Sequence, residues 1–248
     1  MLKFTRTLSL VLVLSILMSF SLCYADTDSK VKEPKLMNTN ALKVGEDTVQ
    51  VREYNDNGKI VTTYSGEVKD KSKVEAYISN SLANSSVSTL AAPEGWSPER
   101  YFNVSGVSAV NANAKVIETI YFKAYGLIFD FRELTYGGVT SGYWLASSPA
   151  NATKIILRQK YTIGGLGISI GWPPGFGISP SQTSYEWVSS DYNNLWYCTA
   201  PHENITVSAT TASMSIIVAD GADVYIGSTC YKARTEVGQG WHQVYYGY

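Results

Sequence analysis

The chain has 248 residues, of which 17% are charged, 45% are hydrophobic and 12% are aromatic, and its formal net charge is -1. Charged residues are too sparse for an intrinsically disordered protein. With only 20 Lys and Arg residues in the whole chain, it also lacks the basic surface of a nucleic-acid binder. The composition therefore predicts a globular protein without a nucleic-acid partner.

The N-terminus has the three-part pattern of a secretory signal peptide. Lys3 and Arg6 form a positive segment, residues 8–22 are apolar apart from serines, and the small Ala25 precedes the polar Asp26. We expect cleavage after Ala25, which makes residues 1–25 the signal peptide of a secreted, extracellular protein. No later run of 18 apolar residues follows, so we expect no transmembrane segment after cleavage.

Two cysteines, Cys198 and Cys230, remain once the leader with Cys23 is removed. An even pair in an oxidising compartment predicts a disulfide bond. Closing this loop of about 30 residues would stabilise the fold by roughly 3 to 4 kcal/mol. The alternative is a reactive thiol or a metal-binding pair, but neither cysteine lies in a Cys-x-x-Cys motif or beside a His, as such sites usually require.

The composition changes near residue 92. Residues 26–92 contain 19 charged residues and only three aromatic ones, whereas all six Trp lie in residues 93–248. Because residues 85–92 are small and uncharged, they resemble an exposed linker. We interpret residues 26–92 as a charged N-terminal extension that is either a prosegment or spacer, or a set of elements packed onto the second region.

The extension has one hairpin pattern and one helix pattern. Alternating residues flank Asp56-Asn57-Gly58, and Asn-Gly supplies the positive φ angles of a tight hairpin turn. Residues 69–82 then carry apolar side chains at helical spacing, and Ser72 is a candidate N-cap.

The residue pattern of the second region predicts a succession of short strands. Residues 115–134 alternate with a break at Gly126, and further strand patterns lie at 143–146, 154–163, 166–172, 184–189, 205–209, 213–218 and 223–226. Gly, Pro, Asn and Ser separate these strands, and residues 220–223 (Asp-Gly-Ala-Asp) are typical of a turn. This spacing predicts an all-β fold, an antiparallel β-sandwich or partly open barrel, in residues 93–248.

No catalytic, metal or cofactor site is predicted. Residues 167–171 match Gly-x-Ser-x-Gly around Ser169, and Asp191 with His202 or Asp223 with His242 follow in triad order. However, Trp-Pro-Pro-Gly comes directly after the pattern, where a nucleophile elbow requires a helix. Two His residues cannot form a three-His zinc site.

The acidic residues of the second region do not reveal a glycosidase pair, because the sequence cannot place two of them across a cleft. Glu118, Asp130 and Glu186 lie within strand patterns, and we expect them to project into solvent.

The excess of aromatic residues is the main functional signal. Trp and Tyr rings stack on sugars and anchor interfaces. We expect Tyr185 and Trp187 to be core residues, since they share one strand face. The candidate ligand-binding residues are those that flank turns, namely Trp172, Trp196, Tyr197 and Trp241. The sequence thus favours a secreted, non-catalytic binding or surface-interaction module, with a carbohydrate or another cell-surface or cell-envelope component as its ligand.

An alternative is a membrane-active protein, such as a β-pore former or antimicrobial toxin. In residues 161–178 Gly and Ser alternate with apolar residues, as in a lipid-facing hairpin. A sandwich strand explains the same alternation. A hydrolase is the weakest hypothesis, because no arrangement of residues meets the geometric requirements of a catalytic site.

Overall fold

The computed structural model describes residues 33–86, 100–107, 110–126, 132–165, 168–171, 184–209, 214–235 and 242–246. Residues 33–248 form one compact unit. The predicted signal peptide, residues 1–25, lies outside the described residues, so cleavage and secretion stay predictions.

The described residues form fourteen strands and one helix, α1 (Lys71–Ser86). The strands are β1 (Lys35–Val44), β2 (Asp47–Asp56), β3 (Lys59–Ser65), β4 (Arg100–Val107), β5 (Ala114–Gly126), β6 (Arg132–Trp144), β7 (Ala152–Gly165), β8 (Ile168–Gly171), β9 (Ser184–Val188), β10 (Tyr192–Leu195), β11 (Tyr197–Ala209), β12 (Met214–Ile226), β13 (Thr229–Arg234) and β14 (His242–Tyr246).

The strands form two antiparallel sheets that pack together and are not closed into a barrel, which confirms the predicted β-sandwich. The first sheet has the order β1-β2-β3-β11-β6-β5-β4, with β8 also paired to β11. The second has the order β10-β7-β12-β13, with β9 paired to β7 and β14 to β12. Short strands therefore flank the long central strands β11, β7 and β12.

The N-terminal extension is part of the sandwich. The hairpin predicted at Asn57-Gly58 joins β2 to β3, and both residues have positive φ, 56° and 95°. β3 then pairs with β11 at Tyr197–Thr199, while β8 pairs with the same side of β11 further along. Strands β1–β3 of the extension are thus members of the first sheet, and a role of residues 26–92 as a prosegment or spacer stays a prediction.

Helix α1 covers the outer face of the first sheet. It begins at Lys71, and the Asp70 carboxylate accepts a hydrogen bond from the Lys73 amide at 3.0 Å. This makes Asp70 the N-cap, so the assignment of Ser72 was wrong. Val74 and Ile78 are buried against Val49 of β2, which gives a helix layer over two sheet layers.

The main core lies between the two sheets. Trp187 is buried in it and Tyr185 packs partly buried against it, which confirms their predicted core placement. Strand β5 (Ala114–Gly126) matches the first part of the predicted 115–134 pattern, and residues 127–131 after the predicted break lie outside the described residues. The core side chains come from both sheets, and the largest among them are Trp144, Ile155, Leu157, Tyr192, Leu195 and Trp187.

The turn predicted at residues 220–223 was wrong, because these residues lie in the middle of the continuous strand β12. Gly221 is needed there because a Cβ would lie 2.9 Å from Arg234 Cδ and Nη1 on the neighbouring β13. The buried Asp223 carboxylate accepts from Arg158 and Arg234. Tertiary packing, not turn formation, explains why Asp-Gly occurs here.

Within the described part of the chain, no helix has both the length and the apolar character needed to span a bilayer.

Candidate functional site

An apolar groove lies between helix α1 and the hairpin β1–β2. Its volume is about 310 Å³, and its lining residues are Asn40, Ala41, Leu42, Val51, Tyr64, Tyr77, Ile78 and Ser81. Polar groups come only from Asn40, Ser81 and the tyrosine hydroxyls among these residues. The Tyr77 side chain is 49% exposed and stands at the surface of the groove. The groove is therefore an open apolar site of the size that accepts a small ligand or a few side chains of a partner.

Strand β1 forms the rim of this groove and has an unpaired edge. Within the described residues it pairs on one side only, with β2, and it ends the strand order of the first sheet. Residues 35–41 are all exposed, and Leu36 and Met37 are 50% and 57% exposed. The outer edge of such a strand presents unpaired N–H and C=O groups.

The charges on β1 are both positive. Lys35 and Lys43 are its only ionisable residues, and both are exposed. Lys73 of α1 adds a third ammonium nearby, since its Nζ lies 3.3 Å from the position of a Cβ on Gly45 in the β1–β2 turn. Glu46 in this turn is paired with Lys69 at 2.9 Å.

Tyr64, which lines the groove, belongs to a stack of three tyrosines. Tyr197 pairs in register with Tyr64 of β3 and Tyr143 of β6, and its ring stacks on theirs at centroid distances of 4.8 and 4.4 Å. Burial, and then the charge of Glu53, raises the pKa of Tyr64 to about 12. The Tyr64 hydroxyl is therefore neutral at physiological pH.

A buried lysine anchors the start of α1 to the sandwich. Lys71 Nζ donates to the carbonyl oxygens of Trp144, Ala146 and Ala150 at 3.0, 2.5 and 2.6 Å. These three bonds fix the helix over the first sheet and thereby fix one wall of the groove.

Two of the four predicted ligand-binding aromatics, Trp196 and Tyr197, are buried side chains. Trp196 and Tyr197 are 0% exposed, and their rings stack on each other in the core beneath α1. In this structure they have no free face for a sugar. Trp172 and Trp241 lie outside the described residues, so their ligand-binding role stays a prediction.

The predicted disulfide is absent, because Cys198 and Cys230 are both free thiols. Cys198 lies on β11 of the first sheet, fully buried in the main core. Cys230 lies on β13 of the second sheet, where it pairs in register with Tyr225. The even number of cysteines was therefore a misleading signal.

A row of buried polar side chains, which we call the polar seam, crosses the space between the two sheets. Its members are Lys59, Glu118, Thr140, Gln159, Tyr161, His202, Asp220 and Thr235, none more than 5% exposed. His202 on the first sheet bonds Tyr161 and Asp220 on the second, and Gln159 on the second donates to Thr140 on the first. The seam therefore joins the two sheets through buried hydrogen bonds.

The expectation that Glu118 projects into solvent was therefore wrong. Glu186 does reach the surface and lies 3.3 Å from Arg158, whereas Asp130 lies outside the described residues. The carboxylate partner of His202 is Asp220, and Asp191 pairs instead with Lys154. Within the described residues, no three His, Cys, Asp or Glu side chains form a group that could hold a metal ion.

Of residues 161–178, in which the membrane-active alternative expects a lipid-facing hairpin, the structure describes residues 161–165 and 168–171. Residues 161–165 end β7 of the second sheet, whereas β8 pairs with β11 of the first. Tyr161 and Ile163 are buried in the protein. Ser169 lies on β8, in the middle of a strand.

Comparisons with known protein families, with curated proteins and with solved structures gave no match.

Proposed function

We propose that this protein is a non-catalytic binding module that acts outside the cell and binds an extended segment of a partner protein along β1. The observation that carries the proposal is the position of the apolar groove directly beside the unpaired edge of that strand. In strand addition, an incoming peptide gains affinity from main-chain hydrogen bonds and specificity from pockets that hold its side chains.

Side-chain chemistry further defines the partner segment. A volume of about 310 Å³ holds one or two apolar side chains, and Leu42, Val51 and Tyr77 supply apolar contacts for them. The exposed Lys35 and Lys43 at the two ends of β1 favour a segment with acidic residues near its ends. The occupant that fits best is therefore an acidic extended peptide with a central apolar or aromatic residue.

The extracellular location rests on the signal-peptide pattern of residues 1–25. Partners on a cell surface or in a cell envelope agree with that location. Carbohydrate binding through Trp172 and Trp241 stays a separate proposal for residues outside the described part of the chain.

An array of ten-residue peptides, probed with the full-length mature chain, tests the proposal. We expect bound peptides to be enriched in sequences with terminal Asp or Glu and a central Leu, Ile or Phe. Tyr77→Ala should weaken the best peptide at least about tenfold, a change of about 1.4 kcal/mol. The matched control is Val188→Ala, which removes an exposed apolar side chain (44%) from β9 of the other sheet and should leave binding unchanged.

Two proline variants test whether the peptide uses the backbone of β1. At adjacent strand positions the amides point to opposite sides, so one of Thr39→Pro and Asn40→Pro removes a bond to β2 and the other removes an outward amide. The variant that keeps wild-type stability should lose peptide binding. Equal binding by both folded variants would contradict strand addition.

A charge-reversed variant, Lys35→Glu with Lys43→Glu, tests the acidic preference separately. This variant should no longer bind acidic peptides and should bind basic peptides instead. If acidic peptides still bind it equally well, the partner chemistry is wrong but the binding site stands. If no peptide in the array binds the wild-type chain, the proposed function itself fails.

A further inference from the structure

The polar seam contains two carboxyl groups that are both buried and are joined through one residue. Glu118 is 0% exposed and Asp220 is 1% exposed. The Thr235 hydroxyl donates to Glu118 Oε2 at 3.0 Å and accepts from the Asp220 amide at 2.9 Å. Two ionised carboxylates at such a site would be very unfavourable, because burial penalises each charge and the charges repel each other.

The hydrogen bonds on one side of the seam run in a single direction toward Asp220. Lys59 Nζ donates to Gln159 Oε1, and Gln159 Nε2 donates to Thr140 Oγ1 at 2.8 Å. The Thr140 hydroxyl then donates to Asp220 Oδ2. Asp220 is the acceptor at the end of this chain, which requires its Oδ2 to be free of a proton.

The bonds on the other side also end at Asp220. The Tyr161 hydroxyl is bonded to His202 Nδ1, and His202 Nε2 lies 2.9 Å from Asp220 Oδ2. A tyrosine hydroxyl can donate or accept, and Tyr161 also donates to Gln159 Oε1 at 3.3 Å, whereas a carboxylate only accepts. The contact between His202 Nε2 and Asp220 Oδ2 therefore places a proton on Nε2 that is donated to Asp220. The bonds that Oδ2 accepts from Thr140 and His202 stabilise a negative charge on Asp220, which favours Glu118 as the member of the pair that holds the proton.

Two oxygen atoms are left without a partner among the described residues, Glu118 Oε1 and Asp220 Oδ1. They belong to the two carboxyl groups that Thr235 joins. Buried polar atoms without a hydrogen bond are rare, because each costs free energy. A single proton on Glu118 Oε1, directed at Asp220 Oδ1, would satisfy both atoms.

We infer that Glu118 is a protonated carboxylic acid that donates to Asp220, and that this proton makes the packing of the two sheets sensitive to a rise in pH. The acid comes from β5 of the first sheet and the acceptor from β12 of the second. Loss of the proton would place two negative charges between the sheets. Burial, and then the charge of Asp220, raises the pKa of Glu118 well above 4.5, in agreement with this assignment.

The sign of the pH effect follows from linkage. Between pH 4.5, the ordinary value for Glu, and the raised value in the folded state, the folded chain holds one proton more than the unfolded chain. The contribution of Glu118 to stability is thus complete below pH 4.5 and is lost as the pH rises through the folded-state pKa. The other ionisable groups of the seam are Lys59, Tyr161, His202 and Asp220. These groups are the same in the wild-type protein and in Glu118→Gln, so a comparison of the two proteins at each pH removes their effects.

Infrared difference spectroscopy on the full chain is the direct test. The wild-type protein at neutral pH should show the carbonyl stretch of a buried protonated carboxylic acid. Glu118→Gln should lack this band, and the control Glu186→Gln, changed at a partly exposed site on β9, should retain it. A wild-type spectrum without the band, or a band that persists in Glu118→Gln, would overturn the inference.

Urea unfolding across pH gives the second measurement. Glutamine resembles the protonated acid in shape and donates a hydrogen bond, so Glu118→Gln should fold. The ratio of the wild-type to the Glu118→Gln folding constant should fall close to tenfold per pH unit above pH 4.5 and then level off. A ratio that is independent of pH would contradict the inference, and the infrared band of the wild-type protein decides the case if the variant does not fold.

Discussion

The Tyr192 hydroxyl on β10 donates a 2.8 Å hydrogen bond to the carboxylate of Asp56 at the tip of the β2–β3 hairpin. The same carboxylate accepts from the Ser190 amide and hydroxyl at 2.7 and 3.0 Å. Asp56 is 1% exposed, so these bonds are shielded from water. The N-terminal hairpin is therefore bound to the second sheet as well as to β11 of the first.

Asp56→Ala should destabilise the fold by about 2 to 4 kcal/mol, because it leaves buried donors of Ser190 and Tyr192 without an acceptor. Urea denaturation measures the change. The control is Asp191→Ala, which removes a carboxylate that pairs with Lys154 and is 53% exposed. The control should cost at most about 1 kcal/mol, and an equal effect of both substitutions would show that the hairpin is not bound as described.

Both cysteines should react with a thiol reagent in the absence of any reductant. Cys230 is partly buried and should react in the native protein. Cys198 is fully buried, and burial raises the pKa of its thiol, so it should react only after unfolding. Finding no thiol in the denatured, unreduced protein would restore the disulfide expected from the sequence.

Gly142→Ala should destabilise the protein by about 1 to 3 kcal/mol through overpacking between the sheets. A Cβ at this position would lie 2.7 Å from Leu157 Cδ2 and 3.1 Å from Ala222 Cβ. The control is a double-mutant cycle with Leu157→Ala, measured by urea unfolding. The double variant should lose less stability than the sum of the single variants, whereas strict additivity would contradict the contact.

The ionised Asp223 carboxylate should stabilise the fold, and protonation of this carboxylate at acid pH should remove that stabilisation. Burial works against its ionisation, but the charges and hydrogen bonds of Arg234 and Arg158 outweigh burial and hold the pKa of Asp223 below 3.8. Its contribution is present above pH 3.8 and is lost as the pH falls toward the folded-state value. Asp223→Asn should therefore show a smaller loss of stability on acidification than the wild-type protein.

Acid titration of the urea midpoint below pH 5 measures this difference. The control is Asp191→Asn at an exposed site, which should follow the wild-type curve. A wild-type curve parallel to that of Asp223→Asn would show that the two arginines do not stabilise the carboxylate.

Local signals in the sequence predicted the β2–β3 hairpin and several strands, but they did not predict β1, β4 or β10. Asn57-Gly58 specifies its turn through positive φ angles, and strict alternation identifies β5. The same alternation placed Glu118 on one face with Val116, which was the available sign that it is buried. The charge of Glu118 indicates the opposite, because a charged residue in a strand usually faces water.

The groove and the polar seam could not be predicted from local sequence patterns. The groove needs β1, β2, β3 and α1 to be assembled, and the seam joins residues from β3 to the end of β13, which are distant in the chain. Trp196 and Tyr197 follow a turn and resemble surface aromatics, but α1 covers them. Only the tertiary structure shows which aromatic residues are covered and which strand edge is open.

Hydrogen exchange measured by mass spectrometry on the full-length chain, with and without the best array peptide, tests the central claim most directly. In the free protein, about half of the β1 amides should exchange quickly, because they point away from β2. Peptide binding should slow exchange in residues 35–44 and around Tyr77, and should leave β9 and β13 unchanged. Protection that arises elsewhere, with β1 unaffected, would contradict binding at this edge.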